Sequence, residues 1–166
     1  MTYYAKSPRQ DGTQETVREH LQAVKAIAQT YGRSFDAEIA AGLCGLFHDF
    51  GKYSSAFQKV LQGTEEGVDH AVSGAAFLYH YQKDYQKKAL RPIIGAVAAH
   101  HSHLISREDL AGVLEATLRT EGPVTTLSGK QAALCGGKDY QEAGQAFLTD
   151  FQDFRFPSFR TLSPQL

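Results

Sequence analysis

The chain has 166 residues, which fits a single domain, and its 42% hydrophobic content is enough for a packed core. A formal net charge of −1 excludes the strong basic field with which a whole domain attracts nucleic acid. The longest apolar-rich stretch, residues 93–99, is too short to span a bilayer, and the N-terminal residues lack an apolar signal core, so we expect no membrane attachment.

The first predicted helix covers residues 16–31, where apolar residues recur at spacings of three and four. Gly32 is a suitable position for its end. We expect its inward face to carry Val17, His20, Val24, Ile27 and Tyr31. His20 would then point into the interior of the domain.

Further helices are predicted at short intervals along the rest of the chain. The second, capped by Ser34 or Asp36, runs to His48, and Gly51 permits the turn that ends it. The later ones are predicted to begin at Ser54, Asp69, Pro92, Ser106 and Tyr140. No alternating pattern is strong enough to predict a strand. The predicted fold class is therefore all-α, a helical bundle.

Two segments lack helical periodicity. Residues 122–138 are rich in Gly, Thr and Ser, and we predict a loop there. Residues 155–166 contain two prolines and are predicted to be a linker-like tail, or a chain cut before its next helix. The predicted organisation is a single domain over residues 1–166, with a motif-bearing core at about 13–120 and a possible C-terminal truncation.

Histidines and one carboxylate recur at the ends and starts of the predicted helices and, in His20, on the inward face of the first. Imidazole suits transition metals, and a carboxylate can bridge two ions. Two ions about 3.5–4 Å apart can clamp a phosphate and activate water. We therefore predict a site for one or two divalent metals, as in a phosphodiesterase or nuclease. Its ligands are His20, His48, Asp49, His70, His100 and His101.

Other interpretations of these residues are simpler when each is taken alone. An isolated inward histidine such as His20 is more often a hydrogen-bonded core residue, and Lys52 alone would be a solvated lysine. Beside a metal-bound phosphate, however, Lys52 could act as a point cation. A ferritin-like site would need Glu-x-x-His motifs, which the sequence lacks. Cys44 and Cys135 have no metal-site spacing and indicate two thiols in a reducing, cytoplasmic compartment.

The ordered histidine and aspartate set resembles the HD-domain phosphohydrolase superfamily. More narrowly, it resembles the HD nuclease domain of the CRISPR-associated nuclease-helicase of type I systems. The strings LFHDFGK at 46–52, DHAVSGA at 69–75 and AAHH at 98–101 are typical of that domain. The resemblance covers residues 13–105, and the remainder of the chain matches only loosely.

The resemblance implies an HD-domain helical bundle that cuts single-stranded DNA with one or two ions of the Mg, Mn, Ni, Co or Fe class. His20, His48 and Asp49 would help hold one ion, and Asp49 would bridge to a second. The second ion would be held by His70, His100 and His101. Lys52 would lie beside the scissile phosphate, with Ser73 as a further phosphate contact. The implied partners are single-stranded DNA, a helicase domain or subunit, and the CRISPR RNA-guided surveillance complex.

The sequence departs from the family pattern in one respect. That pattern usually ends with an Asp on a later helix, within an Ala-Asp-like string, and the surroundings of Asp139, Asp150 and Asp153 do not match it. We therefore expect at most one tightly held metal in this chain. Two alternative functions are an HD phosphohydrolase acting on nucleotides or cyclic nucleotides, and a non-catalytic HD module that binds a partner.

Overall fold

The computed structural model describes the backbone of residues 1–66, 68–81, 87–104, 106–118, 124–125, 131–134 and 138–166. The α-helices in this part of the chain are α1 (Val17–Arg33), α2 (Glu38–Phe47), α3 (Ser55–Leu61), α4 (Ala71–Tyr81), α5 (Lys87–Ala99), α6 (Arg107–Leu118), α7 (Lys138–Asp150) and α8 (Phe159–Leu162). Short 3-10 helices cover Phe50–Tyr53 and Ser163–Gln165. The predicted helical bundle is confirmed. None of the described helices has the length and apolar character needed to cross a bilayer.

Helix α1 begins at a capping box, a reciprocal pair of side-chain caps that satisfies two free N–H groups. The backbone N–H of Glu19 donates to the Thr16 hydroxyl, and the Thr16 N–H donates to the Glu19 carboxylate. The buried residues of α1 are Val17, Leu21 and Gly32. Ile27 and Tyr31 are 57% and 73% exposed, so their predicted inward placement is wrong.

Close packing of α1 against α2 explains which face of α1 is buried. A Cβ on Gly32 would lie 2.7 Å from the Cβ of Ala41, and a Cβ on Gly45 would lie 2.9 Å from the Cα of Lys25. Both glycines therefore allow an approach that a side chain would prevent. The contact face of α1 passes through Lys25 and Gly32, and Gly32 lies inside the helix rather than ending it.

The region after α2 is anchored in an aromatic core. The ring of Phe47 lies 5.0 Å from that of Phe147 in α7, and the ring of Phe50 lies 4.7 Å from that of Phe77 in α4. Phe47, Phe50 and Phe147 are completely buried. The residues between Phe47 and Phe50 are therefore fixed at both ends by core packing.

Three short strands accompany the helices in the part of the chain that the structure describes. They are β1 (Val68–Asp69), β2 (Val124–Thr125) and β3 (Gln131–Leu134), in the order β1-β3-β2. β1 pairs with β3 in parallel and β2 pairs with β3 antiparallel. The predicted loop at 122–138 thus contains two strands and the first residue of α7, and its other positions lie outside the described residues. Strands of two and four residues are too short to show an alternating pattern.

The C-terminal segment differs from the linker-like tail that the sequence predicts. Leu162 in α8 is only 3% exposed. The Gln165 side-chain oxygen accepts from the backbone N–H groups of Ile39 and Ala40, at 2.8 and 3.0 Å. Because Ala37 at the N-cap of α2 provides no side-chain cap, Gln165 supplies it instead of the predicted Ser34 or Asp36.

The start of α5 also differs from the prediction. The helix begins at Lys87, so Pro92 lies inside it rather than in its first turn. Half of the capping box predicted at Ser106 is present: the N–H of Asp109 donates to the Ser106 hydroxyl, and the Asp109 carboxylate accepts from that hydroxyl instead of from the Ser106 backbone N–H. The loop that carries His100 and His101 is therefore bounded by two well-defined helices.

Candidate metal centre

The buried carboxylate of Asp49 is the meeting point of four segments of the chain. Asp49 is 4% exposed and lies between the end of α2 and the 3-10 helix Phe50–Tyr53. The imidazoles that surround it come from α1, the end of α2, the residue before α4 and the loop after α5. All six predicted ligands are brought together, namely His20, His48, Asp49, His70, His100 and His101.

One oxygen of Asp49 faces two histidines and a lysine. Asp49 Oδ2 lies 2.9 Å from His20 Nε2 and 3.1 Å from His48 Nε2. It also lies 2.8 Å from Lys52 Nζ. Together, His20, His48 and this oxygen form one possible metal-binding group, here called the first half-site.

The other oxygen of Asp49 faces the remaining three histidines. Asp49 Oδ1 lies 3.3 Å from His70 Nε2, 3.4 Å from His100 Nε2 and 4.0 Å from His101 Nε2. The Nε2 atoms of His70 and His101 are 3.3 Å apart. We call this set the second half-site. The carboxylate therefore presents one oxygen to each half-site, as a bridging ligand requires.

Two of the imidazoles are oriented by backbone carbonyl groups. His48 Nδ1 lies 2.8 Å from the carbonyl oxygen of Gly45, and His100 Nδ1 lies 2.7 Å from that of Val97. A carbonyl oxygen only accepts, so Nδ1 carries the hydrogen in each ring. Nε2 of the neutral ring then presents its lone pair toward Asp49. Metal-binding histidines usually show this arrangement of an oriented ring with a free second nitrogen.

The second half-site contains buried acceptors to which none of the described residues donates a hydrogen bond. Asp49 Oδ1 and His100 Nε2 are both shielded from solvent and have no hydrogen-bond partner among the described residues. Two acceptors facing each other in a buried site are unfavourable. A divalent cation between them would satisfy both, and imidazole with carboxylate is a donor set suited to transition metals. These residues fit a metal ion on the chemistry of the site itself.

The histidines keep the Asp49 carboxylate ionised. Burial alone would raise the pKa of Asp49, because it disfavours the charged form. The contacts around the carboxylate, among them the short contact between Oδ2 and His20 Nε2, outweigh burial and hold the pKa of Asp49 well below the usual range. The centre therefore contains a stable negative charge available to a cation.

Lys52 and Ser73, the predicted phosphate contacts, occupy different environments. Lys52 is nearly buried, with its ammonium group on Asp49 Oδ2 and 5.5 Å from the ring centroid of Phe57. Ser73 is fully buried, and its hydroxyl has no hydrogen-bond partner within the described part of the chain. Their contacts with phosphate stay predictions.

The later aspartates do not join either half-site in the part of the chain that the structure describes. The Tyr53 hydroxyl donates to Asp150 Oδ2 at 2.6 Å. This hydrogen bond directs the Asp150 carboxylate to Tyr53 and not to the histidines. This interaction adds to burial, the larger cause, in raising the pKa of Tyr53. Asp153 is exposed, and the side chain of Asp139 lies outside the described residues.

One carboxylate near the centre is absent from the predicted site. Glu15 Oε2 lies 3.6 Å from His20 Nδ1 and 3.0 Å from Lys6 Nζ. The interaction with Lys6 is the main reason why the pKa of Glu15 lies below its usual value. No motif or periodicity indicated Glu15, because it lies before the first helix and its contact with Lys6 depends on how the intervening chain folds back.

The centre opens to solvent at one edge. The side chain of His101 is 58% exposed, whereas those of the other four histidines are between 13% and 19% exposed. The second half-site is therefore the side from which a substrate can reach the metal centre.

Comparison with known proteins identifies the region that contains this centre. The family model described as HD domain matches residues 17–133, which include both half-sites and Lys52. No curated protein and no solved structure matches the chain. The match thus supports the HD domain and does not test the narrower resemblance to the nuclease family of type I CRISPR systems.

Proposed function

Because the chain belongs to the HD domain family, whose members are generally metal-dependent hydrolases, we propose that it is a metal-dependent nuclease acting on single-stranded DNA. It would be the cytoplasmic cutting module of type I CRISPR interference, with a helicase domain or subunit and an RNA-guided surveillance complex as partners. The observation that carries the proposal is the Asp49 carboxylate, which presents one oxygen to each of two histidine half-sites.

The residues of the centre would have different roles in phosphodiester hydrolysis. Bound divalent ions of the Mg, Mn, Ni, Co or Fe class would activate water and neutralise phosphate charge. Asp49 would bind and bridge these ions, and the backbone contacts of His48 and His100 keep their Nε2 atoms directed at the centre. This pre-arranged geometry reduces the reorganisation that binding of the ions would otherwise require.

Lys52 would exchange its ionic contact with Asp49 for one with the substrate. In the structure its ammonium group neutralises Asp49 Oδ2, at the edge of the first half-site. When a phosphate occupies the centre, we propose that Lys52 contacts a phosphate oxygen as a point cation. A contact of this kind stabilises the charge that develops in the transition state.

The charge balance and the accessibility of the centre support single-stranded DNA as the substrate. A chain with a net charge of −1 lacks the field needed to grip and open a duplex, so strand separation would come from a helicase partner. The exposed side chain of His101 at the rim fits a polymer that passes across the centre, rather than a nucleotide enclosed in a pocket.

Circular single-stranded DNA is the substrate that tests this function, because a circle has no ends for an exonuclease. We expect the protein with Mn²⁺ or Ni²⁺ to linearise the circle and to cut blunt duplex DNA far less. Chelator and Asp49→Asn should abolish cutting, while Asp153→Asn, an exposed control, should not. Hydrolysis of nucleotides or cyclic nucleotides without DNA cutting would favour the nucleotide phosphohydrolase. Absence of every hydrolysis would favour a non-catalytic module.

A further inference from the structure

A hairpin precedes the region matched by the family model. Tyr4 and Thr16 pair as an antiparallel bridge, and the N–H of Ala5 donates to the Glu15 carbonyl oxygen at 2.9 Å. Residues 3–16 are here called the N-terminal hairpin. The family match begins at Val17, so this hairpin lies outside it.

The N-terminal hairpin is tied to the turn that carries Lys52. The side-chain amide of Gln58, which is buried, donates to the carbonyl oxygens of Tyr4 and Lys52, at 3.0 and 2.8 Å. The N–H of Tyr4 donates back to the Gln58 side-chain oxygen at 3.0 Å. One end of the hairpin is thereby fixed beside the first half-site.

The opposite strand of the hairpin presents Glu15 to His20. Glu15 Oε2 is shielded from solvent and lies 3.6 Å from His20 Nδ1. The opposite ring nitrogen, Nε2, lies 2.9 Å from Asp49 Oδ2. The imidazole of His20 thus lies between a carboxylate of the hairpin and the carboxylate of the metal centre.

His20 lacks the local support that other ligands have. His48 and His100 each use the carbonyl three residues earlier, at the end of a helix, to orient Nδ1. His20 lies in the first turn of α1, where the carbonyl three residues earlier, that of Val17, belongs to the hydrogen-bond ladder of the helix itself. A side chain is therefore the group available to orient its ring.

We propose that Glu15 is a positioning residue that orients the His20 imidazole for metal binding in the first half-site. The N-terminal hairpin, which lies outside the residues matched by the HD domain model, then supports a metal ligand from outside the ligand set. Carboxylates that orient metal-binding histidines typically contribute 10–100-fold to metal affinity. The inference rests on the proposed function only in requiring a metal centre.

Titration of the full chain with Co²⁺ tests this role, with calorimetry for affinity and the visible absorption spectrum for ligand geometry. His20→Ala and His101→Ala assign the two binding steps to the first and second half-sites. In Glu15→Gln we expect affinity at the first half-site to fall about 10–100-fold while the second half-site and the melting temperature are unchanged. Lys6→Ala, which removes the ion pair but keeps the carboxylate, should bind Co²⁺ as the wild type does.

Several outcomes would overturn the role of Glu15. Wild-type affinity in Glu15→Gln would do so, and so would equal losses at both half-sites with a lower melting temperature, which indicate a structural role. Binding of Co²⁺ by the wild type at the second half-site alone, even at millimolar concentration, would leave Glu15 nothing to position. Failure of the wild type to bind any Co²⁺ would reject the proposed function as well. Normal binding without DNA cutting would reject only the nuclease.

Discussion

Gly51 and His70 are in backbone contact: a Cβ on Gly51 would lie 2.7 Å from the Cα of His70. The 3-10 helix that follows Asp49 therefore packs directly against the residue that begins the second half-site. The φ angle of Gly51 is not in the left-handed region, which is occupied by Gly12 and Gly63 among the described glycines. The close approach, and not the turn itself, explains the glycine of the HDxGK string.

Gly51→Ala should therefore lower the free energy of unfolding by about 1–3 kcal/mol, the usual cost of overpacking a rigid contact. It should also displace His70 and weaken metal binding at the second half-site. Gly95→Ala is the matched control, because that position is helical and open, and it should be neutral or stabilising by up to ~1 kcal/mol. Urea denaturation of both variants measures the difference, and a Gly51→Ala protein as stable as the wild type would contradict the contact.

The residues of the centre that can be predicted from the sequence are those marked by a local pattern of apolar residues and helix-end signals. His48 and Asp49 follow an apolar helix directly, and the helix-end signals around them are short-range. Gln165 reaches Ile39 across more than a hundred residues, and a periodicity of 3.6 contains no information about such a contact. The predicted inward placement of Ile27 is wrong for a related reason: an apolar stripe on a helix does not specify which side of that stripe a neighbouring helix will cover.

Lys52→Ala should separate catalysis from metal binding. The ammonium group lies on Asp49 Oδ2, where it competes with a cation in the first half-site. We therefore expect DNA cleavage to fall about 10²–10³-fold, as for loss of other transition-state charge contacts, while metal affinity does not fall. Single-turnover cleavage and calorimetry on the same variant check this. Parallel losses of rate and affinity would instead assign Lys52 to the structure of the centre.

Gln165→Ala should destabilise the protein from a distance. Removal of the side-chain oxygen leaves two N–H groups at the start of α2 without an acceptor. The expected loss is about 0.5–2 kcal/mol, the range for lost N-caps. Gln165→Glu should retain most of the stability, since it keeps an acceptor and places negative charge at a helix N-terminus. Chemical denaturation measures the free energy of unfolding of both variants. A Gln165→Ala protein as stable as Gln165→Glu would show that the tail does not cap α2.

Asp49 should stabilise the metal-free protein down to acidic pH. Its pKa in the folded protein is lowered, so its contribution is fully present above the unfolded value of about 3.9 and is lost as pH falls toward the folded value. The difference in unfolding free energy between wild type and Asp49→Asn should therefore persist at about pH 5 and narrow below about pH 4. Denaturation in chelator across this range tests it. A gap that closes near neutral pH would contradict the lowered pKa.

The two half-sites should fill unequally, with one tightly bound metal. Among the described residues of the two half-sites, Asp49 is the only negatively charged ligand, so two divalent ions would leave a large uncompensated charge in a mostly buried site. Lys52 already neutralises the oxygen of the first half-site, whereas Asp49 Oδ1 in the second has no hydrogen-bond partner among the described residues.

The first equivalent of Ni²⁺ or Mn²⁺ should therefore enter the second half-site. Calorimetry should give one tight step in the wild type, which His101→Ala weakens and His20→Ala leaves intact. Two steps of equal affinity would show that another carboxylate balances the charge. Loss of the tight step in His20→Ala, with His101→Ala unaffected, would reverse the order of the half-sites.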